Sequence, residues 1–548
     1  MIQVIRQYPC NIGEIVKKAS ENGETKLATA GKGVMFNVPK FYQECTKYNI
    51  VPIIGCEFPL DNGRTISLFA KDNEGYKNLI FLSSMACTII GTFEKPKLSE
   101  RFLDIYSKGL TENPEEVSSF EIEFSAPCLP EESQGNAYFH LQFEVLGGYN
   151  KLISEGKIPS QKINDYEKRL YYELFIIGKA RFENYFLIVR DYVNWAKKND
   201  CGPCILRGSA TGSFVLYCLG LSDIDPIANG LIFERFINPE RLALPDIDIE
   251  VPVGCREKIY QHLEEIYGKG CVSQVASLSL DGSYIGCNPH EIAISKSDLA
   301  DTVPVFINEN GKLATQYSGI ELEHFGSVKF DIYENVNLSI IKEAEKEFEI
   351  PLNDKETFEM FSRGDTDNIE GFSLPEEKKN LKLFKPDNIN DLAVMYAFDR
   401  PYCIETMAII FDNKANNTPC EAIDWLKPIL EQTYGCFVFE EQLMQAVTAF
   451  CSCSLAEANI LRNILRKKKK NMYEEYLEKF TKMGLERGYR KEDCEKLFYN
   501  LETVSDKLFL KSHANEVATV IYKVGYIKCH YPELFEKLTK EFEIVDLC

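Results

Sequence analysis

The segment Pro245-Asp246-Ile247-Asp248-Ile249-Glu250-Val251 alternates acidic and β-branched residues without a break. On a β-strand this alternation places the three carboxylates on one face and the three β-branched side chains on the other. Carboxylates in such a row repel one another unless cations lie between them, and Mg²⁺ is commonly held by oxygen ligands of this kind. The pattern predicts a strand that is either part of a magnesium site or an acidic, solvated edge strand.

A second segment, Val328-Lys329-Phe330-Asp331-Ile332-Tyr333, shows the same alternation and places Lys329, Asp331 and Tyr333 on one face. If the two strands are neighbours, Asp331 completes a carboxylate cluster that can hold two metal ions about 4 Å apart. That arrangement is used for in-line phosphoryl displacement. The two segments together therefore favour an enzyme of phosphate chemistry.

A turn rich in small residues, Leu206-Arg207-Gly208-Ser209-Ala210-Thr211-Gly212-Ser213, lies upstream of both segments and precedes an apolar run. Small residues let backbone N–H groups approach an anion at a helix N-terminus, and Arg207 adds positive charge. The turn matches neither the Walker motif nor the dinucleotide fingerprint. An ordinary turn before a helix remains an equal alternative.

Composition indicates a folded protein of several domains, with 548 residues, 45% hydrophobic residues and 26% charged residues. No stretch reaches eighteen uncharged apolar residues and the start lacks the layout of a secretory signal, so we expect a cytoplasmic chain without a membrane segment. The 19 cysteines are therefore expected as reduced thiols. Cys201-Gly202-Pro203-Cys204 has the spacing of a metal or redox pair, but no second pair follows it, and small buried thiols are the alternative.

A net charge of −21 argues against a protein that coats nucleic acid by bulk electrostatics, so a nucleic-acid site must be local. One basic cluster stands out, within a predicted helix where a solvated charged face is the alternative: Arg462, Arg466, Lys467, Lys468, Lys469 and Lys470.

Residues 1–110 read as α/β, 111–160 as an irregular connection, and Tyr166–Lys198 as a helix broken near Gly178 and Asn184. The part from about Lys346 onwards reads as mostly helical.

A set of short motifs resembles, in order and spacing, the palm and fingers of bacterial DNA polymerase III alpha subunits, the C family of DNA polymerases. In the palm these are Tyr185-Phe186-Leu187-Ile188-Val189, Arg207-Gly208-Ser209, Phe233-Glu234-Arg235-Phe236-Ile237-Asn238-Pro239-Glu240-Arg241 and Pro245-Asp246-Ile247-Asp248. Further along they are Gln316-Tyr317, Lys329-Phe330-Asp331, Thr433-Tyr434-Gly435, Glu441-Gln442, Lys467-Lys468, Lys511-Ser512-His513-Ala514, and Lys528 with His530-Tyr531-Pro532.

The resemblance implies a template-dependent DNA polymerase with a palm of the polymerase beta type, acting on primed DNA and deoxynucleoside triphosphates. It implies that two Mg²⁺ ions are held by the catalytic residues Asp246, Asp248 and Asp331. It places the nucleotide phosphates against Arg207, Gly208 and Ser209, with electrostatic support from Lys329, Lys467, Lys468 and His513. Other replication proteins are further expected partners.

The first 150 residues resemble the polymerase-and-histidinol-phosphatase domain of that family, in Pro52-Ile53-Ile54-Gly55-Cys56-Glu57-Phe58 and Gly75-Tyr76-Lys77-Asn78-Leu79-Ile80. Active relatives bind metals there largely through histidines. In this chain the first histidine is His140, so we expect a degenerate, metal-free scaffold and disfavour a phosphoesterase. The expected organisation is 1–155 for this domain, 156–345 for the palm and 346–548 for helical fingers.

The expected thumb is largely missing, because only about ten residues lie between Val275 and Gly286, where the family usually has some tens. This departure leaves a second hypothesis open. In it, the chain is a catalytically silent relative that binds DNA or replication proteins.

Overall fold

The computed structural model describes residues 2–6, 11–125, 128–130, 135–279, 284–398, 404–418, 420, 424–467 and 470–546. The strands are β1 Gln3–Ile5, β2 Lys26–Lys32, β3 Val51–Pro59, β4 Thr65–Ala70, β5 Leu110–Thr111, β6 Ile205–Arg207, β7 Asp248–Val251, β8 Val272–Leu278, β9 Tyr284–Ile294, β10 Val305–Ile307, β11 Leu313–Thr315 and β12 Val328–Glu334.

The helices fall into two series. The first half has α1 Ile12–Glu21, α2 Val38–Lys47, α3 Asn73–Met85, α4 Glu100–Tyr106, α5 Ala137–Ser154, α6 Ile163–Ala180, α7 Glu183–Lys198, α8 Phe214–Cys218, α9 Phe233–Phe236, α10 Cys255–Tyr267 and α11 Gly319–Leu322. The second half has α12 Val336–Glu345, α13 Lys355–Arg363, α14 Pro375–Phe384, α15 Ile389–Ala397, α16 Ile404–Ala415, α17 Lys427–Leu430, α18 Glu440–Cys451, α19 Leu455–Lys467, α20 Lys470–Glu486, α21 Lys491–Ser505, α22 Lys511–His530 and α23 Pro532–Asp546.

The chain forms two compact units that are interleaved in sequence: Met1–Gln134 with Glu257–Ile332, and Gly135–Arg256 with Tyr333–Cys548. In the first unit, the amino-terminal sheet has the order β1-β2-β3-β4-β5, with β1, β2 and β3 parallel and the last two pairings antiparallel. A further set of strands in this unit has the order β10-β11-β8-β9-β12. Strands β8 and β9 pair directly as antiparallel neighbours, across the place where a thumb was expected.

A shared apolar core joins the strand sets of the first unit. Ile54 and Leu68 of the amino-terminal sheet pack in one cluster with Val275 of β8 and with Tyr317. The Tyr317 hydroxyl lies 2.8 Å from that of Tyr76, and burial raises the pKa of both phenols. Motif residue Tyr317 therefore stabilises the first unit from within its core.

In the second unit, β6 and β7 form an antiparallel pair in which Arg207 lies opposite Asp248. Most of the rest is helical, and one large core gathers α12, α13, α15 and α22 around side chains such as Phe361, Leu392 and Ile521. The predominantly helical carboxyl-terminal part agrees with the sequence.

Two expectations about local structure need correction. The connection predicted as irregular over 111–160 contains the 18-residue helix α5. The acidic strand begins only at Asp248, so Asp246 precedes it. The predicted break in the helix over Tyr166–Lys198 is present, because α6 ends at Ala180 and the next residue, Arg181, adopts the left-handed conformation with φ of 59°.

Candidate active site

The acidic strand β7 has the two faces that its alternation predicts. Ile249 and Val251 are fully buried, whereas Asp246 is exposed and Asp248 half-buried. The backbone N–H of Ile247 donates to the Tyr185 hydroxyl at 3.2 Å, which holds the entry to the strand in place. The carboxylates of Asp246 and Asp248 are therefore accessible to a ligand from the polar side.

Arg207 is held beside this strand by a set of specific contacts. Its Nη1 donates to Glu250 Oε1 at 3.1 Å, and its guanidinium lies 4.6 Å from the ring centre of Tyr333. The other oxygen of Glu250 accepts from Asn335 Nδ2 at 2.6 Å. An arginine that is both paired and stacked loses much of its freedom, so its charge is fixed next to Asp248. With 42% of its side chain exposed, Arg207 can still meet an anion.

The turn after Arg207 is tied to the start of α22. Gly208 has φ of +73°, and because a Cβ there would meet no atom within 4 Å, the backbone conformation rather than space requires glycine. Its carbonyl accepts from the Ser512 hydroxyl at 2.9 Å, across 304 positions of sequence. The backbone carbonyl of half-buried Ser209 accepts from the Gly212 N–H at 3.0 Å. The turn thus contacts the helix that carries His513.

The N-terminus of α22 is held by an internal carboxylate. Buried Glu441 accepts from the backbone N–H groups of Lys511 and Ser512 at 2.9 and 3.1 Å, while burial raises its pKa. The ammonium of Lys511 donates to the Asn229 carbonyl at 2.8 Å, and burial lowers its pKa. The imidazole of His513 packs near the Phe509 ring, with centres 5.8 Å apart. The first turn of α22 is consequently fixed before any substrate binds.

Asp331 lies in the first unit, on β12, and only 7% of it is exposed. Lys329 Nζ donates to its Oδ2 at 2.5 Å, whereas among the described residues none is hydrogen-bonded to its buried Oδ1. A buried carboxylate oxygen without a donor is costly, and a hard cation is a suitable partner for it. Asp331 therefore fits the role of a magnesium ligand. Since Asp246 and Asp248 lie in the second unit, a metal site shared by all three stays a prediction.

The basic cluster divides into buried and exposed members. Arg462 is 3% exposed and pairs with Glu440, to which Arg235 Nε also donates at 2.8 Å. Burial lowers the pKa of Arg462 to about 10; burial would raise that of Glu440, but the arginines hold it below its usual range. Lys467 is exposed at the end of α19, and Lys468 lies outside the described residues. Arg462 thus joins helices, and Lys467 remains a candidate for phosphate contact.

One buried carboxylate beside the turn was not predicted from the sequence. Glu173 has no exposed surface and accepts from the Ser213 hydroxyl at 2.8 Å and from the N–H groups of Phe214 and Val215 at 3.0 Å. It thereby satisfies the start of α8, which directly follows the small-residue turn. The signal was present, because an acid on the apolar stripe of α6, one residue before Leu174, is unusual.

The cysteine pair has the properties of small buried thiols. Cys201 and Cys204 are buried, the Cys204 thiol lies 3.3 Å from the Cys201 carbonyl, and burial raises the pKa of Cys204 to about 12. A thiol of that kind is a poor nucleophile and a poor metal ligand at neutral pH. The helices of the described residues include none with the length and hydropathy of a membrane span.

Comparison with known proteins adds three family matches. The PHP domain family matches residues 9–179, the bacterial DNA polymerase III alpha NTPase domain matches 141–280, and the bacterial DNA polymerase III alpha subunit finger domain matches 333–488. With the mixed α/β structure, these matches confirm the predicted fold class: an amino-terminal polymerase-and-histidinol-phosphatase-like domain, a nucleotidyltransferase palm and mostly helical fingers.

Several similar curated proteins are named DNA polymerase III subunit alpha. That of Borreliella burgdorferi is 31% identical over 509 residues, covering 77% of this chain and 43% of its own length. That of Aquifex aeolicus is 29% identical over 501 residues, covering 72% and 43%. That of Staphylococcus aureus is 25% identical over 695 residues, covering 96% and 65%. An alignment of 695 positions with a chain of 548 residues means that the relative has internal segments absent here.

Proposed function

Because this chain is a divergent member of the bacterial DNA polymerase III alpha family, we propose that it adds deoxynucleotides to a primer 3′ end on a DNA template. The alignments cover 43% of the Aquifex relative and 43% of the Borreliella relative. Polymerase activity is therefore proposed for this chain from the residues that it contains. The contact between Gly208 and Ser512 carries the proposal. It joins the Arg-Gly-Ser turn, which borders Asp248, to the helix of His513.

In this proposal, Asp246, Asp248 and Asp331 hold two Mg²⁺ ions. All the donor atoms are carboxylate oxygens, which Mg²⁺ prefers. Among the described residues, none donates a hydrogen bond to the buried Oδ1 of Asp331, so this oxygen is available to a cation. The bound ions would lower the pKa of the attacking hydroxyl and offset charge on the departing pyrophosphate.

The nucleotide phosphates would lie against the Arg207-Gly208-Ser209 turn. The guanidinium of Arg207, fixed by Glu250 and Tyr333, would neutralise charge at a set position rather than follow the substrate. Such preorganised charge is the main contribution that a protein makes to phosphoryl transfer. The ammonium of Lys329 neutralises Asp331 and would be available to a phosphate once the carboxylate has another partner.

The exposed end of α19 would contact template or triphosphate phosphates through Lys467 and Lys468, and His513 would lie beside the nucleotide. The division into 1–155, 156–345 and 346–548 is proposed as the functional organisation. Other replication proteins are proposed partners.

A second function is favoured by one observation. Strands β8 and β9 are antiparallel neighbours, and only residues 279–283 connect them. This connection is much shorter than a thumb that could bind the DNA duplex. A chain that positions a primer poorly loses much of the rate. The alternative is a catalytically silent relative that binds DNA or replication proteins.

Primer extension decides between the two functions. The wild-type chain is incubated with a primed template, the four nucleotides and Mg²⁺ or Mn²⁺, beside Asp246→Asn, Asp248→Asn and Asp331→Asn. Each of these variants removes one negative ligand and keeps its shape, so extension should fall by about 10³-fold or more.

The matched control is Asp365→Asn, which changes an acid that is 57% exposed and paired with Arg363 at the surface. It should extend primers like wild type, and all variants are compared at equal melting temperature. A wild type that adds no nucleotide to any primed template supports the silent relative. Active Asn variants would contradict the site.

A further inference from the structure

A mixed cluster of potential metal ligands lies where α13 and α22 meet in the second unit. Cys529 and His530 are the last two residues of α22, and Glu356 belongs to the first turn of α13. One ligand atom of each, a thiol sulfur, a ring nitrogen and a carboxylate oxygen, lies within 4.8 Å of the others. The cluster belongs neither to the carboxylate strands nor to the turn of the candidate active site.

The histidine of this cluster is already oriented as a ligand. Its Nε2 lies 2.8 Å from Asp354 Oδ2, and its Nδ1 faces Glu356 Oε2 at 4.0 Å. Asp354 is itself held as the N-cap of α13, because its Oδ2 accepts from the N–H and the hydroxyl of Thr357 at 2.8 and 2.7 Å. A proton on Nε2 that is donated to Asp354 leaves the lone pair of Nδ1 directed towards Glu356. Carboxylates orient metal-binding histidines in the same way.

Two further features suit a cation at this position. The carbonyl end of α22, a helix of 20 residues, points its partial negative charge towards the last two residues. The Tyr526 ring packs on the imidazole of His530 with centres 4.5 Å apart, which restricts rotation of the ring. All three ligands are partly or largely accessible to solvent, so an ion can enter without opening the fold.

We propose that Glu356, Cys529 and His530 form a binding site for a divalent transition-metal ion of the Zn²⁺ class, which joins the start of α13 to the end of α22. A sulfur, nitrogen and oxygen set favours Zn²⁺ or Co²⁺ over Mg²⁺ or Ca²⁺, which prefer oxygen ligands. Tetrahedral Zn²⁺ bonds of about 2.0–2.3 Å place ligand atoms about 3.3–3.8 Å apart, so these atoms need to approach one another by about 1.5 Å at most. The fourth position is filled by water, and the ion acts on stability rather than on nucleotide transfer.

The test is titration of the full chain with Co²⁺, whose thiolate coordination produces a charge-transfer absorption, and with Zn²⁺ in a calorimeter. Wild type should bind one more ion per chain than Cys529→Ser, whatever the other cysteines bind. Asp354→Asn should retain the site with about 10- to 100-fold weaker affinity, because the carboxylate that orients His530 is removed.

Controls separate this site from background binding. Cys436→Ser changes another half-buried free thiol, and Glu359→Gln changes another exposed acid of α13, so both should bind like wild type. Zn²⁺ should raise the melting temperature of wild type and of these controls, but not that of Cys529→Ser. If Cys529→Ser does not fold, exposed Glu356→Gln provides the comparison. Equal stoichiometry and equal affinity in wild type, Cys529→Ser and Glu356→Gln would overturn the proposal.

Discussion

Two arginine–glutamate pairs of the same chemistry lie in different surroundings. In the amino-terminal sheet, Arg6 Nε lies 2.8 Å from Glu57 Oε2, and both side chains reach solvent, at 54% and 22% exposure. In the second unit, Arg207 pairs at 3.1 Å with Glu250, which is almost completely buried.

The two regions differ in how far they bury ionisable side chains. The centre of the amino-terminal sheet is apolar, with Ala28, Ala30 and Ile53 in one buried cluster, and its ion pair is partly exposed to solvent. The second unit buries Glu173 and Glu250, which contact Ser213 and Arg207 at the two ends of the small-residue turn. Burying carboxylates costs several kcal/mol each unless they are fully paired, so such residues are expected where charge must be positioned.

Within the comparison of the two pairs, substitution of the arginines should have the greatest effect. Arg207→Ala should lower primer extension about 100- to 1000-fold, because it removes the fixed positive charge that we propose for binding the nucleotide phosphates. Arg207→Lys should recover only part, since lysine neither stacks nor forms a planar fork. Arg6→Ala is the matched control and should extend primers at the wild-type rate. Equal losses in both alanine variants would mean that the comparison reports folding only.

A second carboxyl of the same unit should make stability depend on pH. Burial raises the pKa of Glu516 from 4.5 to about 8. Below pH 4.5 the carboxyl is protonated in both the folded and the unfolded chain. Between pH 4.5 and 8 it ionises in the unfolded chain but stays protonated in the folded chain, so the free energy of unfolding decreases as the pH rises through this range. Glu516→Gln cannot ionise, so above pH 8 it should be more stable than wild type by an amount on the order of 5 kcal/mol at most.

Urea midpoints between pH 5 and 9 measure this difference, with the exposed Glu359→Gln as the control. A constant difference between wild type and Glu516→Gln at every pH would show that the carboxyl has an ordinary pKa.

Substitution of the two glutamates should change the stability of the protein by different amounts. Glu250→Gln should lower the free energy of unfolding by about 1–3 kcal/mol, because the charged partner of Arg207 and a buried acceptor are disturbed. Glu57→Gln should cost less than about 1 kcal/mol, as exposed ion pairs do. Urea denaturation at neutral pH compares them, and a larger loss in Glu57→Gln would reverse the interpretation of the two regions.

A smaller effect is expected at the exposed end of α19. Lys467→Ala with Lys468→Ala should weaken DNA binding a few-fold for every sequence. The slope of log affinity against log salt should become shallower by about one for each phosphate that is no longer neutralised. Fluorescence anisotropy at several salt concentrations measures both. Lys355→Ala, at a side chain that is 90% exposed, is the control. Unchanged binding would show that the cluster is a solvated face.

The last prediction is that the amino-terminal domain has no hydrolytic activity. The chain has no histidine before His140, so metal-dependent hydrolysis by the amino-terminal domain is not expected. The measurement is release of phosphate or of nucleotides from DNA by the Asp248→Asn, Asp331→Asn double variant with Mn²⁺ or Zn²⁺. Hydrolysis above the protein-free blank would contradict the scaffold assignment.

Sequence patterns predicted the elements whose signal is local. The buried face of Ile249 and Val251 follows from alternation alone, and the break after α6 follows from its breakers. The helix α5 was missed because Gly147 and Gly148 weaken the helical pattern. Gly148 is required by a tertiary contact, because a Cβ at this position would lie 1.7 Å from the Cys218 carbonyl oxygen. The glycine therefore permits α5 to pack against α8.

The fold class, the family resemblance, the acidic segment and the residues proposed as metal ligands and phosphate contacts could all be read from the sequence. The contacts that hold these residues in place became visible only in the folded chain. Arg207 meets Glu250 and Tyr333, and the Gly208 carbonyl meets Ser512 across 304 positions. Periodicity describes the face on which a side chain lies, but hydrogen bonds and ring contacts depend on the packing of elements distant in the chain.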